Sequence, residues 1–188
     1  MKTVYLLHAW GGSPDGAFRP YLKKELEKQG IRVIAPAFPD TNHPRFETWV
    51  PFLHKTIVRP DEETMVVAHS LAALAMLHFL SELKENQRIG KLIIVAGVIG
   101  GTITNFTPEE REIYSTWEQH PINYSVARTK ADKIIAFFSD NDKYIPLDTA
   151  DIAKNELHAR VIIEHDMEHY SKYGDVTETP SIVEAVLN

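Results

Sequence analysis

Short apolar runs alternate with longer amphipathic stretches along this chain. Val4 to His8, Ile31 to Ala35, Thr64 to Ala68, Lys91 to Ala96, Ile134 to Phe138 and Arg160 to Glu164 each read as a strand. Between them the apolar residues recur at helical spacing. Leu22 and Leu26 lie four apart on a segment with Pro20 near its first turn and Gly30 at its stop. Trp49, Phe52 and Leu53 form the apolar face of a helix around Phe46 to Ile57. Leu71 to Glu85 is apolar nearly all round, which predicts a helix buried deeply against a sheet. Thr107-Pro108-Glu109-Glu110 supplies an N-cap, a proline at N1 and a glutamate at N3, opening a helix that holds Ile113, Tyr114 and Trp117. Further helices are expected after Pro146 and over Ser181 to Leu187. The alternation predicts right-handed crossovers and a three-layer α/β sandwich, with a mostly parallel sheet of about six strands covered by helices on both faces. No repeat, low-complexity segment or linker interrupts it, so one domain over residues 1–188 is expected. In such sheets ligands bind beyond the carboxyl ends of the strands.

Composition narrows the function classes. The net charge is -6 and no basic run exists, which argues against a nucleic-acid partner. The chain has no cysteine, so disulfides and thiolate metal sites are excluded and a reducing compartment is allowed. The apolar start of the chain is broken at His8 and carries no small-residue cleavage site. The longest uncharged apolar stretch, near Leu92 to Gly101, falls well short of the roughly 18 residues of a membrane span. A soluble protein, off the membrane and in the cytoplasm, is the expectation.

The candidate chemistry starts at Ala68-His69-Ser70-Leu71-Ala72, where the third strand runs directly into the apolar helix. A strand that turns sharply into a helix and lifts one serine out at the corner is a nucleophile elbow, usually written G-x-S-x-G. Here the small neighbours are alanines, and the competing role for Ser70 is a helix N-cap. A serine is a weak nucleophile, needing a base to take its proton and a carboxylate to orient that base. Asp142 follows the fifth strand, with Asp140 as a turn cap and reserve acid, and His165 and His169 follow the sixth. Serine, acid, histidine is the chain order of α/β-hydrolases. An oxyanion hole would take the backbone N–H of Leu71 and a second from the first loop, best placed at Trp10 beside Ala9. Ala9, Trp10 and His69 are candidates for substrate contact, although His69 also suits a place beneath the turn. Trp10, Phe106, Tyr114, Trp117 and Tyr144 are candidate walls of an acyl pocket, with Tyr114 and Trp117 better suited to the core. His165 and His169, four apart with carboxylates between, suit a zinc pair only on a helix, whereas this segment leaves a strand and lacks the H-E-x-x-H order. No metal or other cofactor is expected.

The chain resembles the small serine hydrolases of the YdeN-like and retinoblastoma-binding-protein-like family, a lidless branch of the α/β-hydrolase fold. The likeness is carried by His8-Ala9-Trp10-Gly11-Gly12-Ser13-Pro14, where the family has H-G-x, and by Pro36-Ala37-Phe38-Pro39 followed by Trp49. It continues through Ala68 to Ala72, Ser139-Asp140-Asn141-Asp142-Lys143-Tyr144-Ile145-Pro146, and Glu168-His169-Tyr170 followed by Gly174. The family's acid stands in S-x-x-D-x-x-V-P, which implies Asp142 rather than Asp140, and its histidine stands in G-H-F, which implies His169 rather than His165. Alanine replaces the family's glycine at positions 9, 68 and 72, and glutamate replaces it at 168. The resemblance implies a serine hydrolase acting on an ester, thioester or amide of a small substrate through an acyl-enzyme. Only about one helix is expected between the fourth and fifth strands, so the cap should be small and the pocket open. The competing class is an interaction module that kept the fold and lost the chemistry. The L-x-C-x-E motif linked to retinoblastoma-protein binding is absent with the cysteine.

Overall fold

The computed structural model describes residues 1–171 and 176–188. Six strands, β1 (Thr3–Leu7), β2 (Arg32–Ile34), β3 (Thr64–His69), β4 (Ile89–Val95), β5 (Ala131–Ser139) and β6 (Arg160–Glu164), form one sheet in the order β2-β1-β3-β4-β5-β6. Every neighbouring pair is parallel. Side chains alternate across the pleat. Val66, Ala68, Leu92, Ile94, Ala136 and Phe138 enter one apolar cluster, while Val4, Leu6, Val67, Ile93, Val95 and Phe137 enter the other. The second cluster is closed by α1 (Arg19–Lys28) through Leu22 and Leu26 and by α7 (Pro180–Leu187) through Ile182 and Val186. The first is closed by α2 (Phe46–Thr56), α3 (Leu71–Ser81), α4 (Pro108–Glu118), α5 (Tyr124–Ala127) and α6 (Thr149–Glu156). Both faces of β3 are buried along its whole length, which is why its sequence is apolar without alternation.

Most strand boundaries shift by one to three residues from the sequence reading, and larger differences occur at α3 and between β4 and β5. The helix expected to reach Glu85 ends at Ser81, whose hydroxyl bonds back to the carbonyls of Leu77 (2.7 Å) and His78 (3.1 Å). Beyond it and before β4 only Leu83 packs into the core, and Lys84, Glu85 and Gln87 are polar. The start of β5 moves back to Ala131, because the backbone pairing with β4 continues to Ile89. The connection between β4 and β5 holds a second helix, α5, and a 3-10 turn at Arg128–Lys130. A four-residue helix is too short for apolar periodicity to register; its signal is the Asn123 cap, which accepts from the N–H of Val126 at 3.2 Å. The expected capping box is present at α4, with Glu110 N–H donating to Thr107 Oγ1 (3.2 Å) and Thr107 N–H donating to the Glu110 carboxylate (2.8 Å). Among the described residues no helix is long and apolar enough to cross a membrane.

Candidate active site

The site is built where β3 ends. Ser70 adopts φ 56° and ψ -124°, a conformation that L-residues rarely take, between the last strand residue and the first turn of α3. Three backbone bonds hold it there. Ser70 N–H donates to Val95 O, and Ser70 O accepts from Ala73 and Val98, each at 3.0 Å. The hydroxyl makes no capping bond to α3, so the N-cap role does not account for it. Instead Ser70 Oγ lies 2.9 Å from His169 Nε2, and His169 Nδ1 lies 2.8 Å from Asp142 Oδ2. Asp142 is 1% exposed at its side chain and His169 is 14% exposed, so the pair is shielded while the histidine reaches the open side. The other oxygen of Asp142 accepts from the N–H groups of Tyr144 (2.8 Å) and Ile145 (3.1 Å), which fixes the carboxylate on its own turn.

The alternative acid and base are brought to each other and not to Ser70. His165 Nδ1 donates to Asp140 Oδ2 at 2.6 Å on an exposed rim. That hydrogen bond and charge raise the His165 pKa and lower that of Asp140. The turn after β5 also clamps the histidine loop. Asp140 Oδ1 accepts from Asp166 N–H (3.1 Å), Ser139 Oγ from Met167 N–H (3.0 Å) and Asn141 Oδ1 from Glu168 N–H (2.8 Å). Asp140 therefore holds a neighbouring loop, a link across 26 residues that local sequence does not reveal, while the turn it was expected to cap is held by Asp142. From below, His69 Nε2 donates to the carbonyl of His169 at 2.8 Å, while Arg19 Nη1 stands 3.4 Å from His69 Nδ1. Burial holds the His69 pKa well below its usual value, so the ring stays neutral. His69 lines the cavity but is 1% exposed, and its bonds make it a support for the histidine loop.

The first loop is equally fixed. His8 is buried and neutral. Phe38 N–H donates to its Nε2 at 3.0 Å and its Nδ1 faces Ala9 O at 2.9 Å. Gly12 N–H closes a turn onto Ala9 O at 2.9 Å, with Gly11 at φ 62° in the position that needs a left-handed residue. Among the described residues the backbone N–H groups of Trp10 and Leu71 donate to no protein acceptor. Both residues line a cavity of about 540 Å³ that includes Ala9, Ser70, Phe106, Tyr144 and His169. Of the aromatics considered, Trp10, Phe106 and Tyr144 face this cavity. Tyr114 and Trp117 belong to the core, where Trp117 donates to Pro44 O at 3.0 Å.

A family model described as serine hydrolase matches residues 4–186. The chain belongs to the serine hydrolase family. The protein named "Putative hydrolase YdeN" of Bacillus subtilis (strain 168) is 30% identical over 153 residues, 79% of this chain and 80% of its own length. Serine hydrolase RBBP9 of Rattus norvegicus is 25% identical over 164 residues, 87% of this chain and 78% of its own. The crystal structure of the ydeN gene product from B. subtilis shares the fold, with a TM-score of 0.90 at 22% identity, covering 100% of this chain and 97% of that one.

This serine hydrolase tolerates most of its departures from the family pattern without strain. Ala9, Ala68 and Ala72 have no positive φ, so a Cβ there meets no backbone penalty. Glu168 differs, since it sits at φ 46°, where glycine is favoured. Its carboxylate makes no hydrogen bond to His169 among the described residues. Gly174, the last residue of the family pattern, lies outside the described residues.

Proposed function

We propose that this serine hydrolase cleaves an ester, thioester or amide of a small substrate through an acyl-enzyme, with Ser70, His169 and Asp142 as its triad. Ser70 Oγ attacks the acyl carbon while His169 Nε2 takes the hydroxyl proton. The developing oxyanion accepts from the backbone N–H groups of Leu71 and Trp10. Collapse of the tetrahedral intermediate breaks the bond to the leaving group, which leaves with the proton from His169. Water then repeats the sequence on the acyl-Ser70 ester, with His169 as base, and releases the acid. Asp142 holds His169 in the tautomer that presents an acceptor to Ser70 and stabilises the imidazolium. The observation that carries this reading is the continuous chain of contacts, Ser70 Oγ to His169 Nε2 at 2.9 Å and His169 Nδ1 to Asp142 Oδ2 at 2.8 Å. The cavity of about 540 Å³ suits a small molecule. The two histidines separate this triad from its rival. His169→Ala should lower kcat/KM for a short acyl ester by about a thousandfold or more, and His165→Ala by far less. Equal activity of wild type and His169→Ala would refute the assignment.

A further inference from the structure

The cavity over Ser70 has a mixed lining. Val98, Ile103, Phe106, Tyr144 and Ile145 contribute apolar surface. Ser13 and Gly16, in the loop before α1, and Arg19, the first residue of α1, contribute polar surface. One carboxylate, Glu110, also lines it and accepts from the N–H of Thr107. Arg19 is 3% exposed. Its Nε donates to Ser13 O at 2.9 Å, and its Nη1 meets the neutral ring of His69 at 3.4 Å. Among the described residues no carboxylate lies within ion-pair distance of it, and the exposed Asp15 of the same loop favours its charge only from farther away. Burial lowers its pKa to about 10, which still leaves it charged at neutral pH. The guanidinium also sits at the first residue of α1, the positive end of the helix dipole, where a cation is disfavoured. Tying a carbonyl to a neutral histidine does not require a charge. A buried cation at this place costs free energy unless an anion meets it.

We propose that Arg19 selects the substrate: its guanidinium meets a carboxylate on the acyl chain, while the apolar lining residues take the hydrocarbon part. The preferred substrates are then monoesters or monoamides of short dicarboxylic acids. This proposal rests on the serine hydrolase reading of the same cavity.

The test compares chromogenic phenyl hemiesters of glutaric and adipic acid with their methyl-capped counterparts, with the leaving group held constant and spontaneous hydrolysis subtracted. In wild type, kcat/KM for at least one free acid should exceed that of its capped partner by about tenfold or more. Arg19→Gln should reduce that ratio by about tenfold, and Arg19→Lys should keep part of it. Loss of the support that Arg19 gives His69 would slow both esters alike and leave the ratio unchanged, which would overturn the proposal. So would a wild-type ratio at or below unity for both acids, a result that needs no folded variant. Labelling of Ser70 by a neutral fluorophosphonate reports on the serine reading separately. A labelled enzyme without the acid preference refutes the role of Arg19 alone, and an unlabelled folded enzyme refutes both.

Discussion

Glu168 is the departure from the family pattern that carries backbone strain, at φ 46° beside His169. Its neighbours Asp166 (φ 56°) and Tyr170 (φ 51°) are left-handed too, so the loop is held by its contacts rather than by intrinsic preference. Glu168→Gly should raise unfolding stability by about 0.5–1 kcal/mol, the left-handed penalty removed less the entropy glycine adds to the unfolded chain. Chemical denaturation of the two proteins checks this. His165 offers a second residue-level test. Its hydrogen bond and charge pairing with Asp140 raise its pKa, so its NMR titration should have a midpoint above that of a free histidine, and Asp140→Asn should remove most of the rise, leaving the smaller effect of Asp166. The stabilisation His165 gains is complete below the unfolded pKa and is lost as pH rises through the folded one.

At the scale of elements, the elbow depends on close packing between α3 and the turn after β4. A Cβ added at Gly97 would collide with the side chain of Ile94 and come within 2.9 Å of Ala73 Cβ. Gly97→Ala should therefore destabilise the fold by about 1–3 kcal/mol, read as a lower denaturation midpoint. The strands and long helices were legible because burial writes itself into local pattern. The continuous apolar run of β3, the all-apolar α3 and the Thr107 capping box each announce their structure within a few residues. The support of the histidine loop was not legible. Ser139, Asp140 and Asn141 read as a turn, yet their side chains hold backbone groups at 166, 167 and 168. Arg19 was hidden for the same reason. At the start of a helix whose other charges face water it reads as a surface residue, and only the fold turns it inward. The chain order of serine, acid and histidine was legible, whereas the pairing of His169 with Ser70 and Asp142, and of His165 with Asp140, emerges only in the fold.

The whole molecule keeps three histidines neutral by burial. His8, His69 and His78 all have lowered pKa values, with burial as the leading cause. Below the free histidine value, near 6.5, the unfolded chain binds protons that these rings refuse in the fold. Stability should therefore fall on acidification, by at most about 1.4 kcal/mol per pH unit for each such proton. His165 opposes this with a raised pKa, as one group against three. Urea midpoints should be lower at about pH 5.5 than at about pH 7.5 with little change in slope; an equal or higher midpoint at the acid value would contradict the balance. The alternation of strand and helix, the six-stranded parallel sheet and the family match from residue 4 to 186 are mutually consistent. The central claim about chemistry is narrower, that Ser70 is an activated nucleophile. Reaction of the folded protein with a fluorophosphonate, read by intact mass and peptide mapping, tests it most directly. We predict one adduct, located on Ser70 and missing from Ser70→Ala; a folded wild type that forms no adduct, or forms it elsewhere, would contradict the account.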